Sequence, residues 1–293
     1  MSLFNILENG IISAIMSSLT FSIMNVLVKA TSYRIPSDEI VFFRSIIGTI
    51  LILCLMRRQH IPLSRTGIPL LALRGCFGAF FMIAYFYTIA NMPLIDANIL
   101  VNLSPIFSFV FSALLLKERL PSNTWLVLPV VVFGAVLTIN PFAYTTYSIV
   151  ALWGIAAAVF SALAGIFIRY LSRSFHAFEI ILYFMVTATL ISIPLMWNKF
   201  VVPNALELFF LICLGVISLL AQVFLTKAFT HENAVIVEIV RYIGIIFNAF
   251  WGFLFWTEIP AWNIVLGGVL IVGGCIMLSL KSKREKAIDR IVK

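Results

Sequence analysis

The sequence predicts an all-α membrane protein with ten transmembrane helices. Of its 293 residues, 62% are hydrophobic and 11% are charged, whereas soluble domains carry about 25% charged residues. Ten helices of about 20 residues each would use about 200 residues and leave only short connections. A large soluble domain is therefore excluded. A spanning β-barrel is excluded because its strands would alternate apolar and polar residues.

The ten apolar runs define the spans in order. We place them at 10–31, 38–56, 68–91, 95–116, 122–140, 148–171, 177–197, 206–229, 233–256 and 261–280. The first run has no A-x-A cleavage site after it, so we interpret it as a retained span and not a signal peptide. The breaks between runs carry proline or charge, which are poor at continuing a buried helix: 35–38, 56–60, 91–93, 117–121, 140–141 and 231–233.

Lysine and arginine residues orient the predicted spans. If the N-terminus is cytoplasmic, fifteen of the 20 basic residues, Arg74 among them, fall on the inner side. The other five lie on the outer side or inside spans: Lys29, Arg34, Lys199, Arg44 and Arg241. This positive-inside bias predicts a multi-pass plasma-membrane protein, in the inner membrane of a bacterium, with both termini cytoplasmic.

Composition also argues against several other classes of protein. The inner membrane loops explain the net charge of +8, so we expect no nucleic-acid partner. The four cysteines form no CxxC pair and the three histidines are scattered, so we expect no disulfide framework, no metal site and no cofactor. The glycine-rich loop that binds nucleotide phosphates is also absent from the sequence, so ATP hydrolysis by this chain is not expected.

The sequence repeats itself without a gap at a separation of 140 residues. The matches that apolar composition does not explain include Glu39 with Glu179, Glu118 with Glu258, Lys29 with Arg169, and Gly75 with Gly215. Five spans per repeat is an odd number, so the second copy must enter the membrane from the opposite side. Secondary transporters use such inverted repeats and bind substrate between them. We therefore divide the chain into a first repeat at 1–142, a second at 143–280 and a basic cytoplasmic tail at 281–293.

Several short segments carry a resemblance to a known family: Val41-Phe42-Phe43-Arg44, Met92-Pro93-Leu94-Ile95-Asp96-Ala97, Lys117-Glu118-Arg119-Leu120 and Glu258-Ile259-Pro260. The chain resembles the EamA family of the drug/metabolite transporter superfamily over all ten spans. The resemblance implies a ten-helix bundle that carries small organic solutes by alternating access, in either direction. The second repeat has Ile245 where the first has Pro105, so a kink there must come from Gly244 or be absent.

Within that family, a further set of residues is similar to S-adenosylmethionine uptake transporters of intracellular bacteria. That set is Asn25 with Lys29, Phe43-Arg44, Ala228-Phe229 and Arg241-Tyr242. The similarity implies a cargo derived from an amino acid.

Span 9 carries the richest set of polar residues. Glu238, Arg241, Tyr242, Ile245 and Asn248 share one face of a helix. Charged side chains within a membrane usually face the bundle interior or an aqueous cavity. Glu238 can meet a cationic group or a proton while Arg241 holds a carboxylate, which together suit a zwitterion. The alternative is that these two residues form a closed ion pair that holds helices together.

Other spans add candidate substrate-binding residues. Amides are costly when unpaired in lipid, and hydroxylated aromatics can bind cations. The candidates besides Glu238, Arg241 and Tyr242 are Asn25, Tyr85, Asn98, Asn102 and Gln222. We interpret Arg44 as structural, either snorkelling to the outer interface or pairing with Glu39, and Lys29 in a similar way.

The sequence therefore predicts a secondary transporter of a small zwitterionic or cationic metabolite, with S-adenosylmethionine as one candidate. A proton-coupled exporter of amino acids or drugs is the alternative, although Arg241 opposes protonation of Glu238. A lipid enzyme is less well supported, because the HExxH and GxSxG motifs are absent from the sequence. The lipid bilayer is the other expected partner, and glycines in span 10 permit a homodimer.

Overall fold

The computed structural model describes residues 10–64, 66–104, 106–108, 110–111, 124–139, 146–231, 237, 240–274 and 276–277. These residues form helices joined by short connections. In chain order the helices are α1 (Gly10–Thr31), α2 (Ser37–Arg58), α3 (Ile68–Asn91), α4 (Leu94–Val101), α5 (Thr124–Ile139), α6 (Thr146–Leu171), α7 (Ala177–Met196), α8 (Ala205–His231), α9 (Ile243–Trp256) and α10 (Trp262–Gly274).

Six of these helices, within the part of the chain that the structure describes, are long and apolar enough to cross a membrane. They are α1, α2, α3, α6, α7 and α8. The four shorter helices coincide with the other four predicted spans, and α4 begins one residue before the predicted start of its span. An all-helical membrane protein is therefore confirmed.

The helix pairings come in matched sets. α1 packs on α8 as α6 packs on α3, and α3 packs on α7 as α8 packs on α2. In the same way α1 contacts α9 while α6 contacts α4. When each of the first five helices is exchanged with its equivalent among the last five, the pairs α2–α7 and α4–α9 are unchanged. The two halves are therefore interleaved, and among the described residues most of the helix contacts lie between them.

Matched glycines make the closest of these contacts possible. A Cβ atom at Gly75 in α3 would collide with Thr187 in α7, and one at Gly215 in α8 would lie 2.6 Å from Ile47 in α2. The 140-residue offset that relates Gly75 to Gly215 also relates Ile47 to Thr187. Small residues of this kind let membrane helices approach closely.

Two glutamates begin the matched helices α2 and α7. Glu39 accepts a hydrogen bond from the Val201 backbone N–H (2.9 Å), and Glu179 accepts from the N–H (2.8 Å) and hydroxyl (2.9 Å) of Ser64. Each carboxylate lies in the first turn of its helix, where the helix dipole stabilises negative charge. Each half thus anchors a connecting loop of the other. Because Glu39 is used in this way, its predicted pairing with Arg44 is wrong.

Candidate functional site

A cavity lies between the two halves of the bundle. Helices α1, α2, α3, α4, α6, α7, α8 and α9 all contribute to its wall. Its described lining is apolar except for serines, one tyrosine and a set of amides and guanidinium groups. The amide, guanidinium and tyrosine residues are Asn25, Arg44, Arg74, Tyr85, Asn98, Asn102, Gln222, Arg241 and Asn248.

Four amides and Tyr85 form one hydrogen-bonded group in this wall, which we call the amide cluster (Asn25, Tyr85, Asn98, Asn102 and Asn248). The Tyr85 hydroxyl oxygen accepts from Asn25 Nδ2 (3.0 Å) and Asn98 Nδ2 (3.1 Å). Asn25 Nδ2 also donates to Asn248 Oδ1 (3.0 Å), and Asn102 Nδ2 donates to Asn98 Oδ1 (2.9 Å). These bonds join α1, α3, α4 and α9 at one side of the cavity.

The amide cluster leaves hydrogen-bonding capacity for a ligand. Asn25 Oδ1 is buried and has no hydrogen-bond partner among the described residues. The Tyr85 oxygen accepts two hydrogen bonds, so its own hydrogen remains to be donated. A buried polar atom without a partner costs about 1–3 kcal/mol. The cluster therefore offers an acceptor and a donor to a polar group that enters the cavity.

Two arginines also line the cavity, and we call them the arginine pair (Arg44 and Arg74). The exposed fraction is 2% for Arg44 and 3% for Arg74. Both guanidinium groups face the ring of Phe184, at 5.3 Å and 4.4 Å from its centroid. The prediction that Arg44 snorkels to the interface is wrong, because it is buried beside the cavity. Arg74, predicted from the sequence to be among the basic residues of the inner side, is buried beside the cavity as well.

The structure brings together six of the eight residues predicted to bind substrate: Asn25, Tyr85, Asn98, Asn102, Gln222 and Arg241 all line the cavity. Tyr242 is buried with 6% of its surface exposed and packs in the apolar core, outside this lining. Glu238 lies outside the described residues. The sequence reasoning missed Arg74, although its place within the third apolar run was a signal, since a charge inside a span is a candidate functional group.

The helices α4 and α9 are interrupted at matched positions beside the cavity. Asn102 follows the last residue of α4, and the next turns close through bonds from Leu103 to Leu100 (3.1 Å) and Ile106 to Leu103 (3.0 Å). Tyr242, its partner in the repeat, precedes α9, and Ile245 N–H donates to the Tyr242 carbonyl (3.0 Å). The break in the second half is thus two residues before Gly244 and needs no proline. Discontinuous helices of this kind surround the binding sites of many transporters.

At one end of the bundle, beyond the cavity lining, a group of residues ties several helices together, and we call it the end clasp (Lys29, Met92, Leu94, Trp256 and Glu258). Lys29 pairs with Glu258 and donates to the Met92 carbonyl (3.3 Å). Glu258 accepts from the Leu94 N–H (2.9 Å), and the Lys29 ammonium lies 5.3 Å from the Trp256 ring centroid. The clasp joins α1 to the α3–α4 turn and the end of α9. Lys29 is therefore paired, and its predicted snorkelling is wrong.

Comparison with known proteins identifies the family. The EamA-like transporter family model matches twice, at residues 8–140 and 148–280. The chain belongs to the EamA-like transporter family. It is accordingly a multi-pass membrane transporter and not an enzyme. The resemblance predicted at family level is confirmed.

Individual relatives allow a finer comparison within the family. The chain is 52% identical to Pseudopaline exporter CntI of Pseudomonas aeruginosa, over 95% of this chain and 99% of that protein. It is 24% identical to an S-adenosylmethionine uptake transporter of Rickettsia prowazekii, over 94% of each chain. The predicted closer resemblance to S-adenosylmethionine transporters is therefore corrected in favour of the exporter. A solved crystal structure shares the fold, with a TM-score of 0.68 and 19% identity over 94% of this chain and 97% of that one.

Proposed function

We propose that this EamA-family chain exports a small, carboxylate-bearing metal chelator of the pseudopaline type by alternating access. The observation that carries the proposal is the charge of the cavity. Its described lining holds Arg44, Arg74 and Arg241 and no aspartate or glutamate. A solute that chelates metals needs ligand groups such as carboxylates and imidazoles. Guanidinium groups bind carboxylates in a bidentate geometry, and the amide cluster can bind the remaining polar atoms.

The relative that is 52% identical supports this cargo class, because it is a metallophore exporter matched along nearly its whole length. S-adenosylmethionine is less well supported as cargo. It carries a sulfonium cation, which a cavity lined by three arginines would repel. The sequence predicted a zwitterionic cargo from Glu238 and Arg241, whereas this proposal assigns an anionic cargo.

The proposed architecture is ten spans arranged as two inverted five-helix repeats. Support comes from the reciprocal helix pairings and from the matched interruptions beside Asn102 and Tyr242. The proposed location is a bacterial inner membrane with both termini in the cytoplasm. Even if the buried Arg74 is left out of the count, fourteen basic residues lie on the predicted inner side against three on the outer side, which supports this orientation.

In this orientation the end clasp lies on the outer side. We infer that the clasp then separates the cavity from the exterior, so that cargo would enter from the cytoplasmic side. Export requires the clasp to open after loading. This sequence of events is the simplest form of alternating access for the geometry.

Uptake into inside-out membrane vesicles tests the proposal, because uptake there corresponds to export from the cell. Vesicles containing the wild-type chain should accumulate purified pseudopaline in a saturable manner, and vesicles lacking the chain should not. Arg44→Gln should abolish uptake. Arg34→Gln serves as the matched control because Arg34 is exposed and pairs with Glu207 (3.1 Å) outside the cavity.

Two further conditions sharpen the result. S-adenosylmethionine and free amino acids should not be accumulated by the same vesicles. Accumulation of S-adenosylmethionine in place of pseudopaline would refute the proposed cargo. Repeating the assay with the pH gradient collapsed shows whether transport needs protons, which was the alternative drawn from Glu238.

A further inference from the structure

The arginine pair places two positive charges side by side in the interior of the bundle. Arg44 projects from α2 and Arg74 from α3, and both guanidinium groups face the same aromatic ring, that of Phe184 in α7. Within a membrane a single buried charge is already costly, and such charges usually pair with one another or face an aqueous cavity. The described cavity lining supplies no carboxylate to neutralise them.

The hydrogen bonds of the pair are incomplete. Arg44 Nε donates to the Ser218 hydroxyl, and one of its terminal nitrogens contacts the Met82 sulfur. Arg74 Nε and Nη1 are buried and have no hydrogen-bond partner among the described residues. A guanidinium group carries five N–H donors and cannot give up its charge in proteins. An anionic acceptor that enters the cavity would therefore satisfy donors that this wall leaves unpaired.

The arginine pair also lies at a contact between equivalent positions of the two repeats. The 140-residue offset relates Arg44 to Phe184, and it relates Gly78 to Ser218. All four residues meet here: Arg44 bonds Ser218, and a Cβ atom at Gly78 would collide with Arg74 and lie 2.6 Å from Phe184. Gly78 thus makes room for the Arg74 guanidinium. The backbone is repeated at this point, whereas the charge is present in one repeat only.

We propose that Arg44 and Arg74 form a subsite for two carboxylate groups of one substrate molecule, so that the carrier selects dianions over monoanions. Each guanidinium group can donate hydrogen bonds to one carboxylate, Arg74 from its unpaired nitrogens and Arg44 from the terminal nitrogen that does not contact Met82. Both guanidinium groups lie near the Phe184 ring, which brings the two charges close enough to meet one molecule. The inference deepens the proposed function, on which it rests for the nature of the cargo.

Binding of simple carboxylates to the purified full-length protein tests the subsite. The probes are succinate and glutarate, with butyrate as a monocarboxylate and succinamide as a neutral compound of the same length. The dicarboxylates should raise the melting temperature, as any ligand that binds the folded state does, and should bind at least about tenfold more tightly than butyrate. Succinamide should have no effect.

Substitutions then locate the binding. Arg44→Gln and Arg74→Gln should each weaken dicarboxylate binding about tenfold or more, and Arg74→Lys should restore only part of it. The control Arg34→Gln should bind as the wild type does. Equal affinity for butyrate and succinate would overturn the proposal, as would unchanged succinate binding in a folded Arg74→Gln protein.

A measurement on the wild-type protein covers the case in which an arginine variant does not fold. Phenylglyoxal modifies accessible guanidinium groups, and peptide mass spectrometry reports the site. Succinate should protect Arg44 and Arg74 from modification, while Arg34 should be modified equally with and without it. Loss of this protection pattern, with Arg74 modified at the same rate in both conditions, would refute the subsite.

The two proposals can fail separately. If inside-out vesicles accumulate pseudopaline but succinate neither binds nor protects, the subsite is wrong and the exporter function stands. If succinate binds and protects while pseudopaline is not transported, the cargo is wrong and the subsite stands.

Discussion

The end clasp predicts how this protein changes between its two conformations. Lys29 and Glu258 are joined across the ends of α1 and α9, and their side chains are 12% and 13% exposed. Glu258 also accepts from the Leu94 N–H (2.9 Å), which ties in the start of α4. Replacing Glu258 by glutamine removes the charge at nearly constant size. The variant should therefore favour the conformation in which this end of the cavity is open.

The magnitude follows from the environment of the pair. A fully exposed ion pair contributes about 0.2–1 kcal/mol, whereas a hydrogen bond to a charged group contributes about 1.5–3 kcal/mol. The low exposure of both side chains places this pair near the second range. Since about 1.4 kcal/mol is a factor of ten in an equilibrium constant, the open conformation should gain about tenfold to a hundredfold in population relative to the closed one.

Cysteine accessibility measures this population. A single cysteine is introduced in place of Val101, which lines the cavity, in a chain whose four native cysteines have been removed. A membrane-impermeant maleimide is added to whole cells, so that it reaches the cavity only through the outer end. Glu258→Gln should raise the initial labelling rate of the introduced cysteine by up to the calculated factor.

The matched control is Glu207→Gln, which breaks the Arg34–Glu207 pair away from the cavity. It should leave the labelling of the introduced cysteine unchanged, because that pair joins α8 to the α1–α2 connection and does not touch α4 or α9. An unchanged labelling rate in a transport-competent Glu258→Gln protein would refute the idea that the clasp closes the cavity. An equal rise in both variants would refute its specificity.

Two predictions concern stability and use thermal unfolding of the purified protein. Tyr85→Phe removes the oxygen that accepts hydrogen bonds from Asn25 and Asn98, so it should lower the free energy of unfolding by about 1–3 kcal/mol. Tyr87→Phe, at a more exposed position, should change it little. Equal effects of the two substitutions would contradict a specific network. Gly75→Ala places a Cβ atom against Thr187 and 3.0 Å from a backbone carbonyl oxygen of α7, so it should lower the free energy of unfolding by about 1–3 kcal/mol. Gly273→Ala, whose Cβ atom would have nothing within 4 Å, should be neutral or slightly stabilising. A neutral Gly75→Ala would show that α3 and α7 separate easily.

Much of the fold was predictable because its signals are physical requirements of the membrane. Apolar length locates the helices, since a span of about 20 apolar residues is needed to cross the bilayer. The offset of 140 residues predicted that Gly75 and Gly215 are equivalent, and the structure packs them against Thr187 and Ile47, which the same offset relates. The division at 142 and 143 and the tail at 281–293 remain predictions.

The candidate site was predictable only in part. Helical spacing placed Arg241 and Asn248 on one face, and both line the cavity. Tyr242 was assigned to the same face on the assumption of a continuous helix. The helix is interrupted at that residue, so the side chain turns away into the core. Periodicity cannot predict a residue's direction across such a break, because the rotation per residue changes there.

The arginines show a different limit of sequence reasoning. Arg74 lies within the first two turns of α3, so the count of basic residues assigns it to the inner side of the membrane, where its side chain could extend outward to lipid headgroups. Its long side chain can equally extend inward, and the choice depends on whether a neighbouring helix leaves space. Gly78 provides that space, one turn along the same helix. The position of the charge was therefore decided by packing, which the hydropathy of the sequence does not encode.

The asymmetry of charge within a symmetric bundle suggests how such a carrier acquires specificity. The packing of α3 on α7 is repeated in that of α8 on α2, so the backbone provides two equivalent walls. Function then depends on the positions at which the two repeats differ. Arg44 in the first repeat corresponds to Phe184 in the second, and Asn25 corresponds to Gly165. Because a change on one wall leaves its partner in place, the cargo can change without disturbing the interleaved helix contacts. Members of one family with one fold can thus carry cargoes of different charge.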